Sequence, residues 1–151
     1  MEVRMNRLIP PVLFLLLLLV LAALNALHPP SLLMRAHAAM PWDIPLAFGL
    51  VTLLWAFSHF KRKKAEIHTF RQPKDMITDG PFRYSRNPMY LGFFLILLSA
   101  AFYVNTWCAL LAPLAFHLTA VFWYIPHEER RMRDTFGAAY DDYTWATRRW
   151  I

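Results

Sequence analysis

The sequence predicts an all-α integral membrane protein: about four transmembrane helices, then a C-terminal amphipathic helix at the membrane interface. Three observations predict it. Of the 151 residues, 58% are apolar and only 17% are charged. A soluble domain averages about 45–50% apolar and about 25% charged, and a chain this short has too little interior to hide the excess. The apolar residues are gathered into long blocks, and the basic residues collect between alternate blocks. The same composition excludes disorder, and a single cysteine, Cys108, excludes a disulfide scaffold. The four glycines, Gly49, Gly80, Gly92 and Gly137, are never closer than twelve residues apart. A glycine-rich phosphate cradle or a Rossmann fingerprint cannot be built from them.

The first block, residues 8–27, is long enough to span as a helix, with Pro10 and Pro11 in its first turn, where missing amide donors cost least. Arg4 and Arg7 precede it, and Ala36-His37-Ala38 resembles a cleavage site. That site lies nine residues beyond Leu27 and the apolar run exceeds a signal core, so we read a span. The second block, 44–60, is near the short limit for a span. The third, Met89 to Ile125, is too long for one helix, and Val104-Asn105-Thr106 offers a turn. The reading is a hairpin of spans 90–103 and 107–125, with a kink position at Pro113. All 151 residues then form one membrane domain.

Charge gives the orientation. With four spans, fifteen of the sixteen Lys and Arg residues fall on one side and only Arg35 on the other. The positive-inside rule places both termini and the 61–88 loop in the cytoplasm. The net charge of +6 is thereby explained by membrane lipids, with no nucleic-acid partner required.

Polar chemistry is confined to two segments. In the loop, Asp79-Gly80-Pro81 is a turn, and Asn87-Pro88 brings the chain extended into the third helix. Free amides at that helix start, beside Arg83 and Arg86, suit an anionic group, and the same two arginines could equally do no more than contact lipid headgroups. The other segment, 126–151, carries Met132, Phe136, Tyr140, Tyr143 and Trp150 at mostly helical spacing, and opens on His127-Glu128-Glu129. The two glutamates could equally serve the helix dipole or nearby arginines. His117, inside the fourth span, reads first as a hydrogen-bonded bundle residue rather than a ligand, although an intramembrane ionisable group is a functional lead. The six histidines show no metal-ligand spacing, so no metal is expected.

Gly80-Pro81-Phe82 followed by Arg86-Asn87-Pro88-Met89-Tyr90-Leu91-Gly92 resembles the signature of the isoprenylcysteine carboxyl methyltransferase and phospholipid methyltransferase family. Glu128-Glu129, Phe136-Gly137, Tyr140, Tyr143 and Arg149-Trp150-Ile151 are similar to its second motif. The resemblance covers about residues 74–151. It implies a membrane enzyme that binds S-adenosyl-L-methionine without a Rossmann fold and methylates a lipophilic or small-molecule acceptor, a carboxylate, thiol or amine. It implies a cofactor site lined by Lys74, Met76, Ile77, Phe82, Asn87, Pro88, Met89, Tyr90, Glu128 and Glu129, and Arg86 is the candidate for the cofactor carboxylate. It designates no catalytic residue. The chain departs from the pattern at Asn87, where the family usually has histidine, and at Tyr124, where prenylcysteine enzymes have arginine. The alternatives are an NADPH-dependent membrane reductase like the sterol reductases, which share an Arg-x-Pro-x-Tyr stretch, and a non-enzymatic membrane subunit.

Overall fold

A computed structural model describes residues 9–27, 41–62 and 76–151, and every described segment is helix, turn or short connection. The helices are α1 (Pro10–Leu27), α2 (Asp43–Arg62), α3 (Pro88–Val104), α4 (Leu111–Thr119), α5 (Ile125–Phe136) and α6 (Ala138–Ala146). Helices α1 and α2, and the continuous helical run Trp107–Phe136, are long and apolar enough to cross a membrane. Helix α3 is shorter, 17 residues, or about 26 Å at the α-helical rise. The all-α membrane architecture expected from composition is the one the chain adopts.

The bundle is assembled around α3. Phe93, Ile96, Leu97 and Ala101 of α3 bury themselves against Phe14 and Leu21 of α1 and Ala112, Phe116 and Ala120 of the fourth helical run. Phe14 and Phe93 meet at 4.7 Å between ring centroids. Helix α2 crosses α3 where Gly49 faces Gly92. A Cβ on Gly92 would lie 2.9 Å from Leu53 Cβ and 3.0 Å from the Gly49 carbonyl oxygen, so two hydrogen side chains let the backbones touch. Above this crossing, Ser99 Oγ donates to the Trp42 carbonyl at 2.6 Å and fastens the start of α2 to α3. The outward faces carry exposed Leu15, Leu19, Phe48, Val51, Leu54, Leu114 and Phe122, as a lipid-facing surface requires.

The expected turn at 104–106 is present. Asn105 adopts a left-handed conformation (φ 59°), and its N–H bonds back to the Ala101 carbonyl. A 3₁₀ turn at Trp107–Leu110 then opens the fourth run, and Pro113 falls in the first turn of α4. The irregularity lies further on. Residues Ala120–Tyr124 form a π-helical segment in which the Ile125 N–H reaches the Ala120 carbonyl, five residues back. Pro126 follows immediately. The widened turn accommodates a ring that would press on the preceding carbonyls of a regular helix. For that reason the helix does not stop near 125, as the sequence suggested. It runs on to Phe136, and the amphipathic segment is two helices, α5 and α6, divided at Gly137.

Candidate functional site

The site begins where the loop returns to the bundle. Phe82 and Ile77 are buried with Ala56, against Phe60 and Met89, and the Phe82 and Phe60 rings meet edge to face at 5.0 Å. This wedge fixes the loop on the end of α2. Its turn needs a glycine: Gly80 has φ +61°, and a Cβ there would strike the His59 ring at 2.8 Å. The same ring places Nε2 2.9 Å from Asp79 Oδ1.

Ser85, Arg86 and Asn87 engage the C-terminal segment. Arg86 N–H donates to the Arg148 carbonyl at 3.0 Å, and Asn87 Nδ2 donates to the Arg149 carbonyl at 2.9 Å. Ser85 Oγ accepts from the Asn87 N–H at 3.1 Å. Residues more than sixty positions apart are thus held together by backbone carbonyls that an extended tail offers.

The glutamates have separate tasks. Tyr90 OH donates to Glu128 Oε1 at 2.8 Å, and the Tyr90 ring stacks on Tyr124 at 6.1 Å with 15° between planes. Glu129 lies between two guanidinium groups. Arg149 grips it with Nε at 3.0 Å and Nη2 at 2.7 Å, and Arg86 Nη1 lies 3.3 Å from Oε1. The Arg86 and Glu129 side chains are only 14% and 15% exposed, so this ion pair is largely out of water. Arg86 Nε is buried with no hydrogen-bond partner.

Helix α6 closes the arrangement. Tyr143 OH donates to the Phe82 carbonyl at 2.6 Å. Burial pushes the Tyr143 phenol above its ordinary pKa, with Tyr140 adding and Arg86 opposing. Tyr140 moves the same way, through burial and then the Glu129 charge. The turn into α6 needs Gly137, at φ 53° and ψ −127°, and Arg133 bridges it to Asp141 at 2.9 Å.

Of the site residues expected from the sequence, Arg86, Asn87, Pro88, Tyr90, Glu128 and Glu129 converge at the start of α3 and the start of α5. Ile77 and Phe82 lie in the adjoining wedge, packed against α2 together with the half-buried Met89. Met76 is half-buried. Lys74 lies outside the described residues. Sequence reasoning assigned no role to Ser85, Tyr143 or Arg149. The second motif contained Tyr143 and Arg149, but nothing in a linear pattern says that a tail will pair with a loop.

A profile of phospholipid methyltransferases matches residues 43–139, more than half of the chain. The chain belongs to the phospholipid methyltransferase family. The matched region holds α2, α3 and both glutamates, and it stops before Tyr140. No curated protein and no solved structure matches the chain.

Proposed function

We propose that this protein transfers a methyl group from S-adenosylmethionine to a lipophilic or small-molecule acceptor at the membrane surface. The observation that carries the reading is the closure of Tyr90 on Glu128 and of Arg86 on Glu129, because Tyr90 at the start of α3 and Arg86 of the loop both belong to the motif that suggested the cofactor. The residues fit such a ligand. Arg86 has a buried Nε–H with no acceptor, which a ligand carboxylate would satisfy. Glu128 offers an anion beside two stacked phenol rings, the chemistry that holds an amino group, a ribose hydroxyl or a sulfonium cation.

When bound, S-adenosylmethionine supplies an activated methyl group, whose bond to sulfur breaks as the bond to the acceptor forms. The chain's own contribution is then alignment and exclusion of water. The stacked Tyr90 and Tyr124 give a rigid wall, and the tail bound to Ser85, Arg86 and Asn87 covers the site. Asn87 spends its amide on the Arg149 carbonyl. It acts as the clasp that holds the cover, a task that needs no titrating group and explains how asparagine serves at this position. A carboxylate or thiolate acceptor needs no strong base; for an amine, Glu129 or His127 is the candidate.

Calorimetry of the purified protein tests the reading. S-adenosylhomocysteine should bind at micromolar concentrations and NADPH should not. Absence of S-adenosylhomocysteine binding, or tighter NADPH binding, refutes it. The basic-residue distribution further supports cytoplasmic termini; alkaline phosphatase fused after Ile151 should then be inactive in bacteria, and an active fusion reverses the orientation.

A further inference from the structure

His117 of α4 stands outside the arrangement described so far. Its ring lies between Phe94 of α3, at 5.3 Å between centroids, and Trp150 of the tail, at 5.1 Å and 31° between planes. Its Nδ1 is buried and makes no hydrogen bond. A buried polar atom without a partner is costly, and an apolar ring would fill the same space at no such cost. The residue also occupies a seam. Phe116 and Ala120 beside it are fully buried, whereas Leu114 and Leu118 are 49% and 44% exposed on the lipid-facing side. Phe94 is one helical turn along α3 from Tyr90, which puts His117 about 6 Å deeper in the membrane than the Tyr90–Glu128 pair.

We propose that His117 Nδ1 is the contact for the head of a lipophilic ligand, a molecule with an apolar chain and one hydrogen-bonding group. The chain lies along the exposed Leu114–Leu118 face and the head reaches in beside Phe94, with Trp150 as the inner wall. Trp150 follows directly on Arg149, which the Glu129 carboxylate and the Asn87 amide both hold. The tail that covers the proposed cofactor site therefore also shapes this seam, so a ligand head held here faces the reacting side of the protein. Identifying the ligand with the methyl acceptor rests on the methyltransferase reading; the binding site itself does not.

The test uses the full-length protein in nanodiscs, with dodecylamine, dodecanol and dodecanoic acid as probes. At least one should raise the thermal midpoint of the wild type. Its affinity should fall about tenfold in His117→Phe, the effect of losing one hydrogen bond. It should recover in His117→Asn, whose amide reaches about as far as Nδ1. His117→Phe without probe should be at least as heat-stable as the wild type, since it removes the unpaired atom. Stabilisation by none of the three, or equal affinity in wild type and His117→Phe, overturns the proposal. S-adenosylhomocysteine binding is measured on the same samples. Its absence sinks the cofactor reading alone, because the amphiphile result does not depend on it.

Discussion

Replacing Glu129 by glutamine should release the C-terminal tail. The carboxylate binds Arg149 through two nitrogens, at 3.0 and 2.7 Å, and Arg86 through a third at 3.3 Å. Glutamine keeps the volume but removes the charge, and its amide N–H₂ faces guanidinium donors it cannot satisfy. A hydrogen bond to a charged group contributes about 1.5–3 kcal/mol, and breaking a buried pair costs about 3–5 kcal/mol. Arg149 is 40% exposed, so water recovers part of that loss and the lower range applies. We expect about 2 kcal/mol, which shifts the open–closed equilibrium of the tail about 30-fold. Trypsin reads this directly, since Arg148 and Arg149 are cleavage sites that the closed tail protects. Where opening is fast relative to cleavage, the rate follows the open population. Release of the Trp150-Ile151 dipeptide from Glu129→Gln, followed by mass spectrometry, should be about 30 times faster than from wild type, by that same population argument. In Arg149→Leu, scored at Arg148, adding Glu129→Gln should change little, because the pair is already broken. Cleavage of Glu129→Gln at the wild-type rate would refute the claim that this carboxylate holds the tail.

Three further tests, with four substitutions between them, separate the site from the scaffold. Glu128→Gln should weaken S-adenosylhomocysteine binding by about tenfold or more, as loss of a charged hydrogen-bond acceptor does, while Asp142→Asn leaves calorimetric affinity unchanged; equal losses would remove Glu128 from the site. Gly92→Ala should destabilise the bundle by about 1–3 kcal/mol, the cost of overpacking, because the new methyl meets backbone at Gly49 and Leu53 Cβ; an unchanged thermal midpoint would show that the α2–α3 crossing yields. The Tyr143 phenol has a raised folded-state pKa, so its stabilisation is complete below the ordinary value of about 10 and is lost as pH rises beyond it. Tyr143→Phe should be less stable at neutral pH, having lost the bond to Phe82, and should lose less stability than wild type when thermal midpoints are compared on the alkaline side.

The helical membrane class was legible because it depends on averages: apolar fraction, block length and the side on which basic residues collect. The turn at Asn105 was legible for a local reason, since asparagine tolerates the left-handed conformation between two apolar runs. The start of α3 was legible because Asn87-Pro88 restricts the backbone on both sides of one bond. The length of the fourth helix was not. Pro126 reads as a stop, and only the π-segment before it shows how the helix continues. The partners of the two glutamates were not legible either. Adjacent residues on a helix point about 100° apart, so Glu128 and Glu129 had to diverge, but which faced Tyr90 and which faced the arginines depends on how α5 is rotated against α3. The tail contacts were hidden for another reason: they run to main-chain carbonyls of Arg148 and Arg149, and side-chain identity does not announce them.

That rotation connects the irregular helix to the chemistry. A π-segment contains one residue more than an α-helix of the same height, so everything beyond it is turned by about 100° relative to regular continuation. Without the extra residue, Tyr124 and Glu128, four apart on one face, would turn together away from Tyr90, and Glu129 would leave the arginine pair. Tyr124 is fully buried and stacked on Tyr90, which fixes the phase just before the proline. Glu128 then lies four residues on, over the same face, in bonding distance of the same tyrosine. The Ala120–Tyr124 segment and Pro126 are therefore parts of the site. They set the angle at which a membrane-crossing helix delivers Glu128 to Tyr90 of α3 and Glu129 to Arg86 of the loop.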